Sequence, residues 1–152
     1  MKQLNGAASA LVSAAPDRCL DFLADVEAYP QWHPDVVREV EVLERGADGR
    51  PHRARATLRA RVGPINRDLH FTVDVSRGSD EVKLSRLPED DSDGERFEVV
   101  WRVSGAPSGA QIDLRLDAAL EVPRLVPLGG VGNALATGFV DAAVRRLDES
   151  AG

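Results

Sequence analysis

Cysteine is nearly absent: Cys19 is the only one in 152 residues. A lone thiol closes no internal disulfide, which fits a reducing, cytoplasmic setting. Cys19 shares helical spacing with Phe22, Leu23 and Val26 and reads as a small buried apolar residue rather than a reactive thiol. Histidine is also scarce. His33, His52 and His70 are scattered without the spacing of a metal site, so neither a metal nor another cofactor is expected. No stretch approaches the ~20 apolar residues of a membrane span, and no stable membrane insertion is expected. Basic charge is in deficit, with 19 Lys and Arg against 25 Asp and Glu and a net charge of −6. A nucleic-acid binder is usually basic on at least one face, so nucleic acid is not the expected partner. Residues 129–138, "GGVGNALATG", are glycine-rich but lack the lysine of a phosphate loop.

The length suits one domain, residues 1–152, with a core of its own. The alanine-rich start is too weakly hydrophobic for a secretory leader and reads as a first strand over residues 7–14. A helix follows from Pro16 and Asp17, stopped at Pro30, and then a second short turn before Pro34. Alternating patterns predict strands in 37–45, 53–62, 67–76, 81–87, 97–103 and 110–122. The acidic run at 88–95 reads as a solvated loop. From about 130 to 149, Leu135, Phe139, Val140, Ala143, Val144 and Leu147 form the apolar stripe of a long helix. About seven antiparallel strands, two short helices after the first and one long C-terminal helix make an α+β layout. The sheet is expected to curl around that helix to cover its apolar face.

The stretch "RARATLRAR" at 53–61 alternates arginine with small residues. Glu39 and Glu41 precede it and Asp68 and Asp74 follow at alternate positions, so the arginines are expected to face carboxylates across an outer sheet face. His70 falls on that face. Ala54, Ala56 and Ala60 point the other way, and alanine fills little space in a core. Gly132, Ala134, Ala136 and Gly138 keep the last helix equally light. Small residues on both walls mean either close layers or a gap. Leu58, Phe71, Phe97, Trp101 and Phe139 would hold the walls apart, which favours an apolar cavity.

The segments "AAPDRCLDFLADVEAYPQWHPDVV" and "DLRLDAALEVPRLVPLGGVGNALATGFVDAAVRRL" resemble the START-like, SRPBCC group of polyketide cyclases, dehydratases and lipid-transfer proteins. The first carries the Tyr-Pro-x-Trp-x-Pro turn as Tyr29, Pro30, Trp32 and Pro34, and the second a loop bracketed by Pro123 and Pro127. The likeness is greatest to the coenzyme-Q-binding-type branch. It implies a helix-grip fold, with a cavity between a curved antiparallel sheet and the C-terminal helix. Members bind sterols, lipids, quinones or polyketides, and some are enzymes.

The expected function is therefore non-enzymatic binding or transport of a hydrophobic small molecule by a monomer or homodimer. Leu58, Phe71, Phe97, Trp101, Leu135 and Phe139 are the expected wall, with Trp32 either packing the short helix or stacking on the ligand. The alternative is a polyketide cyclase or dehydratase using the same cavity, with His33 or Arg86 handling protons. A third reading is an interaction module without a ligand, disfavoured by the acidic balance. His33 reads first as a surface turn residue. Arg86 shares the inward parity of Val82 and Leu84, and either reaches an acidic group of the ligand or, as the favoured reading, sits at an exposed strand end.

Overall fold

The computed structural model describes residues 2–62, 65–90, 92–121 and 129–151. Seven strands form one sheet: β1 (Lys2–Val12), β2 (Val37–Arg45), β3 (Pro51–Val62), β4 (Ile65–Arg77), β5 (Glu81–Arg86), β6 (Arg96–Ala106) and β7 (Gly109–Leu120). Their order is β1-β7-β6-β5-β4-β3-β2, and every neighbouring pair is antiparallel. Consecutive strands from β2 to β7 pair as hairpins. Only the β1–β2 connection spans the sheet, from one edge to the other. Register shifts between Val37 and Glu39 and between Val42 and Glu44 bend β2.

The crossing segment is three short elements rather than one helix halted at Pro30. It comprises α1 (Pro16–Ala24), a 3-10 turn (Val26–Ala28) and α2 (Tyr29–Trp32). Pro16 begins α1, where its missing N–H costs nothing, and Asp17 lies in the first turn. Asp25 leaves the helical region at ψ 75° and re-aims the chain. Pro30 then sits in the first turn of α2, so it opens a helical turn. Cys19 is fully buried on the inner side of α1, and its thiol reaches the Ala14 carbonyl at 3.8 Å. Burial pushes that thiol's pKa up, and the site is inert packing.

The outer sheet face is charge-paired as the alternation predicts. Arg53 bonds Asp74 at 2.8 Å and lies 3.5 Å from Glu44, while Arg59 reaches Asp68 at 3.3 Å. Thr57 and His70 share a hydrogen bond of 3.1 Å on the same exposed side. The inner face buries Val73, Val75, Val82, Leu84, Trp101, Val103, Ile112, Leu114 and Leu116.

The long helix α3 (Val131–Ala151) packs chiefly on β1 and then β7. Glycine makes this possible. A Cβ on Gly132 would overlap the backbone of Asn5, and one on Gly6 would overlap the backbone of Gly132. The Asn133 side-chain oxygen accepts from the Ala7 N–H at 3.1 Å near one end of the helix. Near the other, Asp148 accepts from the Ser13 N–H and hydroxyl at 3.2 and 3.0 Å. Ala136, Val140, Ala143 and Leu147 complete the buried stripe. The light residues of the helix therefore do not all face the alanines of β3 across a gap: Gly132 bears directly on β1.

Candidate functional site

An apolar cavity of about 50 Å³ lies against the β2–β6 part of the inner face. Val37 and Val40 of β2, and Ala54, Ala56 and Leu58 of β3, form one wall. Phe71 and Val73 of β4, Leu84 of β5, and Phe97, Val99 and Trp101 of β6 continue it. Val26 and Tyr29 cover it from the crossing segment, and Phe139 is the contribution of α3. Alternation places the strand residues there, since Ala54, Ala56 and Leu58 share one face of β3. Ala54 is fully buried yet stops short of the opposite wall. The volume suits a few waters at most, against roughly 300–1,000 Å³ in sites that enclose drug-sized molecules.

Of the residues expected at this wall, Ala54, Ala56, Leu58, Phe71, Phe97, Trp101 and Phe139 line the cavity. Trp32 and Leu135 do not. Trp32 lies behind Tyr29 and Phe22, with ring centroids 4.7 and 5.1 Å away, and packs the short helix. Leu135 faces a neighbouring groove. The side chain of Ala60 falls outside the described residues, as do Pro123 and Pro127. Sequence reasoning did not name Val26, Tyr29, Val37, Val40, Val73, Leu84 or Val99 at this wall, although the Tyr29 motif was visible. The Tyr29 hydroxyl donates to the Leu23 carbonyl at 2.6 Å, and burial raises its pKa far above the ordinary phenol value. That hydroxyl ties α1 to α2 and stays protonated.

Arg86 points inward, as its parity indicates, but does not sit at an exposed strand end. Its side chain is 5 % exposed, and its Nη2 donates to Asp93 at 2.7 Å. Nη1 donates to the Glu95 carbonyl at 3.0 Å. The guanidinium carbon lies 5.5 Å from the centroid of Phe71, which stacks on Phe97 at 4.9 Å. The acidic run is accordingly more than a solvated loop. Asp93 also accepts from the Glu89 and Glu95 backbone N–H groups, and Arg86 with these bonds holds its carboxyl down at about 2. Arg86 thus meets the protein's own carboxylate and packs against Phe71 of the cavity wall.

His33 is not a surface residue. It is 8 % exposed, stacks on Trp32 and meets the Phe139 ring edge-on at 4.6 Å. Its Nε2 is buried without a hydrogen-bond partner. Burial lowers its pKa, partly offset by the Asp35 carboxylate and reinforced by Arg145, which keeps the imidazole neutral. His33 lines a groove of about 410 Å³ with Asp35, Val36, Arg38 and Arg59 on one side and Val131, Ala134, Leu135 and Gly138 of α3 on the other. Phe139, which lines the apolar cavity, is in ring contact with His33 of this groove. Among the described residues no group of three or more His, Cys, Asp or Glu is placed to hold a metal, and no helix is long and apolar enough to cross a membrane.

Solved structures with the same architecture include a START superfamily protein from Mycobacterium smegmatis. It has a TM-score of 0.71 and 19% identity, over 97% of this chain and 98% of that one. The Zhui aromatase/cyclase from a Streptomyces species matches with a TM-score of 0.71 and 17% identity, over 99% and 96%. The di-domain aromatase/cyclase StfQ of the steffimycin biosynthetic pathway matches with a TM-score of 0.67 and 14% identity, over 99% of this chain and 52% of that one. Such likenesses carry the helix-grip fold. Among curated proteins none matches the chain in sequence. The family described as "Polyketide cyclase / dehydrase and lipid transport" matches residues 12–147, without distinguishing the coenzyme-Q-binding branch. With its sheet, gripped helix and apolar hollow, the chain belongs to this family of polyketide cyclases, dehydrases and lipid-transport proteins.

Proposed function

We propose that the chain binds a hydrophobic small molecule, such as a lipid, isoprenoid quinone or polyketide, between the sheet and α3, as a carrier. The observation behind this reading is the composition of the cavity wall, which is hydrocarbon and aromatic apart from the Tyr29 hydroxyl and the Trp101 indole N–H. The hydroxyl is committed to Leu23. Affinity would come from apolar burial at roughly 25 cal/mol per Å². A cavity of about 50 Å³ must widen to admit such a guest, and rotation of Phe139, half-buried, lining the cavity and touching His33 of the groove, is the proposed way of joining the two spaces. Joined, they fall within the usual range of small-molecule sites.

The cyclase reading draws on the likeness to the aromatase/cyclases Zhui and StfQ. It would need a proton-handling group at the ligand. Arg86 is engaged with Asp93, so His33 is the remaining candidate of the pair.

Native mass spectrometry of the purified protein, with organic extraction, tests the carrier reading. A stoichiometric hydrophobic adduct is expected. An apo mass, together with no saturable uptake of any apolar probe, would overturn it. Turnover of a polyketide thioester would move the assignment to the enzyme.

A further inference from the structure

We propose that the groove between α3 and the β2–β3 end of the sheet receives a hydroxyl group of the ligand, phenolic or enolic, through a hydrogen bond with His33 Nε2. The inference rests on the apolar-ligand reading and adds where the polar end of that ligand sits and what chemistry it carries.

Four observations converge on this position. His33 is more than nine-tenths buried, and its Nε2 has no partner. A buried polar atom left unpaired costs roughly 1–3 kcal/mol, so a partner supplied by a ligand removes a standing penalty. The imidazole edge faces α3 at Gly138, where the missing side chain matters: a Cβ there would lie 3.9 Å from Nε2 and 3.8 Å from Cε1. The lack of that carbon leaves only the helix backbone between the groove wall and the buried Nε2, so a modest shift there brings a ligand oxygen within reach. Finally, the His33 ring touches Phe139, which also lines the apolar cavity. A molecule with its ring system behind Phe139 and its oxygen in the groove spans both spaces.

A hydroxyl suits this nitrogen better than an anion does. A neutral imidazole Nε2 is a donor or an acceptor according to tautomer, and a hydroxyl complements either. Burial disfavours the imidazolium that a carboxylate or phosphate would want. The groove cations do not make an anion site either. Arg59 is paired with Asp68, Arg38 donates to the Pro34 carbonyl at 2.9 Å, and Asp35 stands beside them.

The test compares 2-naphthol with naphthalene, which differ by one hydroxyl, by titration calorimetry against wild type, His33→Phe and Gly138→Ala. Wild type is expected to bind 2-naphthol about 3–10-fold more tightly, the range for one net hydrogen bond. The imidazole Nε2 resonance should shift with 2-naphthol and stay put with naphthalene. His33→Phe keeps the ring stack and should abolish the preference. Gly138→Ala should shrink it while leaving the melting temperature unchanged or higher. Naphthalene binding with no preference for 2-naphthol, or a preference that survives in His33→Phe, overturns the groove assignment alone. No binding of either probe overturns the apolar-ligand reading and the groove assignment with it.

Discussion

Arg86 Nη2 stands 2.7 Å from Asp93 Oδ2, with the two side chains 5 % and 11 % exposed, and the guanidinium carbon lies 5.5 Å from the ring centroid of Phe71 in the cavity wall. Removing either partner leaves a charge with little water around it, a more damaging change than the loss of a surface pair. Asp93→Asn is expected to lower the melting temperature and to change its response to acid. The wild-type carboxyl is held at about 2, below its ordinary 3.8, by Arg86 and the Glu89 and Glu95 N–H groups. The stability this confers is fully present above pH ~4 and is lost as the pH falls toward ~2. Thermal unfolding of wild type and Asp93→Asn between pH 2 and 5 should give curves that converge at the acid end.

His33 acts in the opposite direction and in another pH window. Its pKa lies below the ordinary 6.5 because the ring is buried, with Asp35 opposing and Arg145 adding to the shift. Below pH ~6.5 the unfolded chain takes up a proton that the folded chain refuses, so stability falls as the pH drops. Urea unfolding at pH 7.5 and 5.5 should show a loss in wild type that is smaller in His33→Phe. Equal losses would place the ring in water.

Two glycines of α3 should respond oppositely to alanine. Gly132→Ala drives a Cβ into the backbone of Asn5, and nothing there is a flexible side chain that can yield. A loss of roughly 1–3 kcal/mol is expected, beyond the helix-propensity gain. Gly138→Ala meets only the His33 ring at ordinary contact distance, so up to ~1 kcal/mol of propensity gain should appear. Denaturant titration of the two variants reads both signs.

Much of this layout is legible in the sequence because period-two alternation survives in strands with one wet face. The Arg53–Asp74 and Arg59–Asp68 pairs follow from that period together with hairpin connectivity. Alternation also placed Ala54, Phe71 and Trp101 inward. What it cannot do is fix the azimuth of a helix or the path of an irregular segment. Leu135 and Phe139 are four residues apart on α3, yet the first faces the groove and the second lines the cavity. His33 between two prolines reads as an exposed turn, because burial by α3 arises from a partner about a hundred positions away. Asp93 looked like one acid among many in a polar loop. Its burial depends on an arginine from β5 and on loop N–H groups that composition does not reveal. The small residues of α3 served two ends that sequence alone merged, with Gly132 admitting close contact with β1 and Gly138 leaving space before His33.

The central claim is that the hollow beneath Ala54 is the place where an apolar guest binds. Ala54 is fully buried and borders that hollow, so Ala54→Val puts two methyl groups where the guest would sit. Filling a cavity in this way commonly stabilises by roughly 0.5–2 kcal/mol. Calorimetric titration of naphthalene into wild type and Ala54→Val is the most direct measurement. The account predicts saturable one-to-one binding to wild type that weakens at least several-fold in Ala54→Val, while the melting temperature of the variant rises. Equal affinity in both proteins, or no saturable binding to wild type, would contradict it.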